Sequence, residues 1–308
     1  MTAAVPIVEV TFFGLSAGAV IGLLALGLVL IYRTTGVLNL GHWAIGLLSV
    51  VAYVFLTSAG VPSQLAVVAS LPVSVIGGIA AYRWVFRAMS RSRQILVILV
   101  AVGVAQVYSS LAALTLRFEQ FTRLPPWLPV RDWKVLGVTV RSTDLVTAGT
   151  GIAVAVGFLV WFRRARAGRA LRAVAQNREA ALLAGIDEDR ASKLAWGIGS
   201  GLSALALLLV LPHVAGTQGG LLTAFDVSPL GTLLIPAFGA ALVGGLVNLP
   251  MALAGGFIFG LTRELLILAP KPWSDLRPSI AAILIVILLL VRTERLFASR
   301  QELEALET

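Results

Sequence analysis

The sequence predicts an all-α, polytopic helical membrane protein with about nine transmembrane helices. Three observations lead there. Hydrophobic residues make up 58% of the chain and charged residues 13%, against about 45–50% and about 25% in soluble domains. Apolar runs approaching or reaching the bilayer-spanning length of about 20 residues recur along all 308 positions. The charges gather in a few short loops between those runs. A β-barrel would instead show alternating segments of about ten residues, a pattern the chain lacks. Mean hydropathy is +0.94, and the 30 glycines suit close helix approach in a bilayer.

The first span is expected over Phe12–Tyr32, with Gly14, Gly18 and Gly22 forming a small-residue face for another helix. Its N-terminal flank lacks a basic region and a small-residue cleavage site, so the run is expected to be retained. After Arg33 comes VLNLGHWAIG, where Asn39, Gly41 and His42 stand close to two spans. Polar groups there predict a broken or re-entrant segment, tolerated only under cover of protein or a water-filled cavity. A short second span, Trp43–Leu56, fits that reading. Span three is expected over Gln64–Trp84, and the basic loop with Arg83, Arg87, Arg91 and Arg93 follows it. Span four is Ile95–Leu116. The polar region Arg117–Asp144 carries Trp127 and Trp133, suited to a membrane interface. Span five is Leu145–Phe162, and span six is Leu194–Leu211. Span seven, Leu230–Val247, turns at Asn248-Leu249-Pro250 into span eight, Met251–Leu268. Span nine is Ser279–Val291. Nine crossings put the Arg83–Arg93 loop, the central loop and the tail with Arg292 and Arg295 on one side. The positive-inside bias makes that side cytoplasmic and leaves the N-terminus outside.

The central loop, 163–193, holds eight of the 24 basic residues. It is not patterned as coil. Leu171, Val174 and Ala175 at i, i+3, i+4 give a short helix an apolar face. Asn177 is placed to cap a second helix, and Glu179 lies in its first turn, where negative charge suits the helix dipole. Ala180 to Ala184 are strong helix formers. Gly185 stands where a left-handed residue ends such a helix, and Asp187 or Asp189 can start the next. A short rigid helix on the cytoplasmic face follows, a shape that a groove in a partner protein can hold.

The string EAALLAG, Glu179 to Gly185, resembles the E-A-A-x-x-x-G signature of the coupling loop in importer permeases driven by ATP-binding cassettes. The wider segment LRAVAQNREAALLAGIDEDRASKLAWGIGSGLSALA resembles the branched-chain amino-acid permease family. So do GLSAGAVIGLLALGLVLIYRTTGVLNLGHWAIG and AALVGGLVNLPMALAGGFIFGLTRELL, the latter with Glu264. These collinear matches are spread from Gly14 to Leu266, across most of the chain. Family members usually read N-F-A-H-G, where this chain has Asn39-Leu40-Gly41-His42-Trp43, so Trp43 replaces a small residue. The resemblance implies one transmembrane permease domain over 1–308 and a coupling helix carrying Glu179, Ala180, Ala181 and Gly185. It implies a second permease subunit, related or identical, two cytoplasmic ATP-binding subunits and an external solute-binding protein. Branched-chain or other small amino acids are the implied solutes, with urea, short amides or another small solute as the alternative, and the lipid of a prokaryotic cell membrane as the setting.

The residues themselves agree with that division of labour. A phosphate-binding loop needs G-x-x-x-x-G-K-[ST], and none of the three lysines, Lys134, Lys193 and Lys271, follows a glycine. The chain has no cysteine and only two histidines, His42 and His213. Neither a catalytic triad nor a metal cluster is expected, and no cofactor. The net charge of +9 is loop bias rather than a nucleic-acid surface. Candidate path residues are Asn39, His42 and Glu264. His42 either titrates in the path or steadies a broken helix. Glu264 is an acid inside a span and so a functional candidate by its cost; it is either a path residue or a structural partner between helices. Arg263 adjoins it in sequence but is expected on another helix face. His213 and Asp226 are expected in a solvated outer link. An ion-coupled secondary carrier, the rival reading, predicts acids deep in several spans, and Glu264 alone is clearly of that kind.

Overall fold

The computed structural model describes residues 4–89, 93–118, 127–128, 131–135, 138–217 and 232–291. They form an all-α membrane protein built around two long helices. The first, α1, spans Ala4–Thr35. It is apolar all round, and a helix without a polar face belongs inside; 89% of its most apolar stretch is buried. Three shorter elements follow: α2 (His42–Ser58), α3 (Ser63–Ala81), which runs on as a π turn over Tyr82–Phe86, and α4 (Gln94–Phe118). Strands β1 (Asp132–Val135) and β2 (Val138–Arg141) lead into α5 (Ser142–Arg164). Helices α6 (Arg166–Gln176) and α7 (Arg178–Leu183) form the central loop. The second core helix, α8 (Glu188–Thr217), is 72% buried over its apolar stretch. Next come α9 (Leu234–Val243), α10 (Leu249–Leu265) and α11 (Ile280–Val291).

Six helices among the described residues are long and apolar enough to cross a membrane, and α2, α9 and α11 are shorter apolar helices. Each predicted span overlaps one of these nine. The boundaries differ because helices do not stop at the membrane surface: α1 and α8 continue past the predicted Phe12–Tyr32 and Leu194–Leu211. The described helix of span seven is only ten residues long, and Gly244 to Val247, predicted as part of it, form a turn. Arg91, Asp226, Arg292 and Arg295 lie outside the described residues.

Helix α1 packs against α10 through its small-residue face. A Cβ added at Gly256 would lie 2.5 Å from the Cα of Gly22, and one at Gly260 would lie 2.4 Å from the backbone nitrogen of Gly18. Without a hydrophobic drive between helices in lipid, such backbone approach supplies the packing energy. Helix α8 closes the other side. Its Gly199 meets Ile31 and Gly27 of α1, and its Gly197 and Gly201 meet Ile79 and Val75 of α3.

The antiparallel hairpin, with Asp132 opposite Arg141 and Val135 opposite Val138, corrects the reading of 117–144 as merely polar. Its alternation is short and was hidden by charge. The backbone N–H of Thr139 donates to Glu9 Oε1 at 2.7 Å, tying the hairpin to the start of α1. Trp127 donates from Nε1 to Leu208 O at 3.0 Å, while Trp133 is exposed.

Candidate functional site

The predicted site residues fall into three separate places. The first is the central loop. Asn177 Oδ1 accepts from the backbone N–H of Ala180 at 3.0 Å, so the cap forms as the sequence implies. At the other end Ile186 N donates to Ala181 O and Gly185 N donates to Leu182 O, both at 2.9 Å. That paired closure requires a left-handed residue at Gly185, whose φ is +77°. Among the described residues nothing lies within 4 Å of a Cβ built there, so the glycine serves conformation and not space. Asp187 Oδ1 then accepts from Asp189 N at 2.9 Å and Arg190 N at 3.1 Å, starting α8. Ala181 is buried, and Glu179 and Ala180 are exposed. Leu183, at 92% exposure, and Leu182, at 54%, point away from the protein. Arg178, which the sequence reading passed over, fastens this helix to the spans. It pairs with Glu188 at 3.2 Å and donates to Thr34 O, at the end of α1, at 3.5 Å.

The second place is the bend between α1 and α2. Gly36, at φ +72°, ends α1. Val37, Leu38 and Asn39 continue as buried non-helical backbone before α2 begins at His42. Irregular backbone at membrane depth survives only under such cover. Asn39 and His42 are 1% and 2% exposed, and among the described residues neither polar atom of either side chain has a hydrogen-bond partner. The His42 ring lies against Gly27: a Cβ there would sit 2.5 Å from Nε2. Ser203 Oγ of α8 donates to His42 O at 3.2 Å. Trp196 Nε1 and Ser200 Oγ, on the same helix, are likewise buried with no partner among the described residues. Trp43, the large residue in this motif, is partly buried and packs against the apolar core.

The third place is the far end of α10. Glu264 is 3% exposed. Arg277, in the segment before α11, bonds its Oε2, and Arg263 Nε lies 3.7 Å from Oε1. The latter contact corrects the expectation that Arg263 faces elsewhere; its long guanidinium stem curls back toward the buried carboxylate that Arg277 also bonds. Arg277 was missed because its segment reads as a connector, although a lone acid in a span calls for a cation nearby. His213 is also corrected. It belongs to α8 and meets Asp144 of α5 at 2.9 Å, rather than standing in a solvated link. Glu264, Arg263, Arg277, His213, Thr147 and Ser16 line a cavity of about 240 Å³ with apolar walls. The Asn39–His42 bend and the Glu264 cavity are thus not one site.

No group of three metal-ligating side chains occurs among the described residues. What remains is a bundle of apolar helices with polar groups buried at two depths and a rigidly capped helix outside it. That combination defines a multi-pass membrane transport protein. The chain belongs to the family described as the branched-chain amino acid transport system permease component, whose family model matches residues 10–293.

Among its relatives is the high-affinity branched-chain amino acid transport system permease protein LivH of Escherichia coli K12. The two are 27% identical over 82% of this chain and 84% of that protein. The permease BraD of Pseudomonas aeruginosa is 25% identical, covering 81% and 83%. A probable LivH permease of Methanocaldococcus jannaschii is 28% identical, covering 79% and 76%. A solved structure titled PsaBC from Streptococcus pneumoniae in complex with Fab aligns over 90% of each chain with a TM-score of 0.50 at 14% identity. That likeness concerns the fold alone.

Proposed function

We propose that this chain is the translocating subunit of an ATP-driven importer in a prokaryotic cell membrane, moving branched-chain or other small amino acids. The observation that carries the reading is α7: a helix capped at both ends, braced by Arg178, and presenting Leu182 and Leu183 outward. Apolar side chains on a charged loop favour a protein partner. The partners in this proposal are two ATP-binding subunits, a second permease chain, related or identical, and an external solute-binding protein. The whole of 1–308 acts as one permease domain, with 163–193 as its coupling loop on the cytoplasmic face. ATP hydrolysis belongs to the partners, and this chain catalyses nothing.

Nucleotide-driven movement of α7 reaches the spans through Arg178, which holds both the end of α1 and the start of α8. Two rigid-body states biased by nucleotide follow from such a linkage. The solute path in this reading runs past the Glu264 cavity, whose carboxylate and two guanidiniums match the opposite charges of an amino acid, and past Asn39 and His42.

Isolation from mild detergent with identification of co-purifying proteins tests the assembly. Recovery of ATP-binding subunits together with a second permease supports it. A folded, monodisperse chain that recovers neither, yet transports solute in vesicles without ATP, establishes the ion-coupled carrier instead. Uptake of radiolabelled leucine against urea and acetamide by the reconstituted complex decides the solute class.

A further inference from the structure

A second polar cavity has no part in that scheme. It measures about 320 Å³ and lies where the ends of α1, α5 and α6 meet the turn between α9 and α10. Arg33, Arg163 and Arg172 line it, together with Leu159, Phe162, Val247, Asn248, Leu249 and Pro250. The guanidinium carbons of Arg33 and Arg172 stand 5.9 and 5.5 Å from the centroid of the same Phe162 ring. Two like charges thus converge on one aromatic ring. Among the described residues no carboxylate pairs with any of the three arginines. Their recorded partners are backbone carbonyls: Arg33 donates to Val247 O at 3.3 Å, and Arg172 donates to Phe162 O and, at 3.1 Å, to Arg163 O.

Three guanidiniums without a counter-charge select an anion, and the planar fork suits phosphate. The surroundings decide which kind. Ile152, Val156, Val160 and Arg163 fall at i, i+4, i+8 and i+11 of α5, a stripe along one helix face. The three apolar members are 39%, 48% and 45% exposed, as they would be against acyl chains. An apolar stripe headed by guanidiniums is the complement of an amphiphile. A free ion would use the arginines alone and make no contact with the stripe. Simple snorkelling of arginine at a span end also falls short, because it sends each head outward to the surface rather than two onto one ring.

We propose that this cavity binds the phosphate of an anionic phospholipid whose acyl chain lies along α5. Such basic pockets between spans are a recognised mode of lipid-headgroup binding. Arg172 belongs to α6 and Arg33 to α1, so a bound headgroup would bridge the central loop and the central span.

The test is native mass spectrometry of the purified protein with phosphatidylglycerol or phosphatidylcholine of identical acyl chains. Phosphatidylglycerol should be retained at least about tenfold more strongly, and Arg33→Gln and Arg163→Gln should each cut retention about fivefold. Arg166→Gln, an exposed arginine outside the cavity, should leave retention unchanged. Arg172→Lys keeps the charge but not the fork, and retention should fall by a smaller factor with the protein still folded. Equal retention of the two lipids, or equal losses for Arg166→Gln and Arg163→Gln, would overturn the proposal. Displacement of the lipid by inorganic phosphate at matched concentration would overturn it in favour of a free-anion site.

Discussion

Gly185 acts through its backbone alone: its φ is +77°, and among the described residues there is open space around the Cβ position. A β-branched residue there carries a penalty of about 1–3 kcal/mol without any clash. Gly185→Val should leave the spans folded, since the strain falls on the loop. It should reduce solute-dependent stimulation of the partner ATPase at least about tenfold, and normal uptake at normal expression would count against the coupling role of α7. Glu264 poses the opposite problem, for its cost is burial. Neutralising it leaves Arg263 and Arg277, 34% and 33% exposed, without their shared acid; water reaches both, so the cost falls below the about 3–5 kcal/mol of breaking a fully buried pair. Glu264→Gln should therefore lower the melting temperature in detergent. Adding Arg277→Gln should recover part of that stability, because the coupled pair then leaves together. If the acid also serves the path, uptake stays impaired in the double variant. Full recovery of uptake would mark the pair as structural. Glu264 was legible in the sequence as an acid in a span, while Arg277 was not, since thirteen residues and a turn separate the two.

At the scale of elements, the central loop was the most legible part of the chain. Asn177, the alanine run, Gly185 and Asp187 act within four or five residues of themselves, and local rules specify local hydrogen bonds. Asn177→Ala should cost about 1 kcal/mol of α7 stability, seen as faster amide exchange at Ala180 and Ala181. Leu183→Asp tests the exposed face itself. A side chain at 92% exposure makes few internal contacts, so thermal stability should hold while recovery of ATP-binding subunits falls by tenfold or more. Unchanged recovery would move the docking surface elsewhere. The β-hairpin and the corrected helix ends show the limit of the same approach. Strand pairing at Asp132–Arg141 and Val135–Val138 joins partners across a turn, and its brief alternation of apolar and polar residues competes with a strongly charged background. Helix ends extend beyond the apolar runs because propensity, unlike hydropathy, does not change at a membrane surface.

For the whole molecule, the glycine seam between α1 and α10 is the feature on which the arrangement depends. Gly256→Val would push side-chain atoms into the backbone of Gly22, which cannot rotate away. Overpacking in a tight seam costs about 1–3 kcal/mol or more, and here the loss should appear as poor membrane yield and a lower melting temperature. Gly103→Val, on α4 with no atom within 4 Å of its added Cβ, should be neutral in both measurements. Equal behaviour of the two variants would contradict this packing. The sequence by itself determined the class of protein, the apolar segments, the capped central helix and the small-residue face of α1. Each follows from composition or from neighbours a few residues apart. Only the tertiary structure decided that α1 and α8 form the centre, that Asn39 and His42 are buried as Trp196 and Ser200 are, and that Glu264 meets Arg277. It alone brought Arg33 and Arg172 over Phe162. In a chain this uniformly apolar, hydropathy does not distinguish a face turned to lipid from one turned to another helix; that choice is made by backbone approach and polar pairing between residues far apart in sequence.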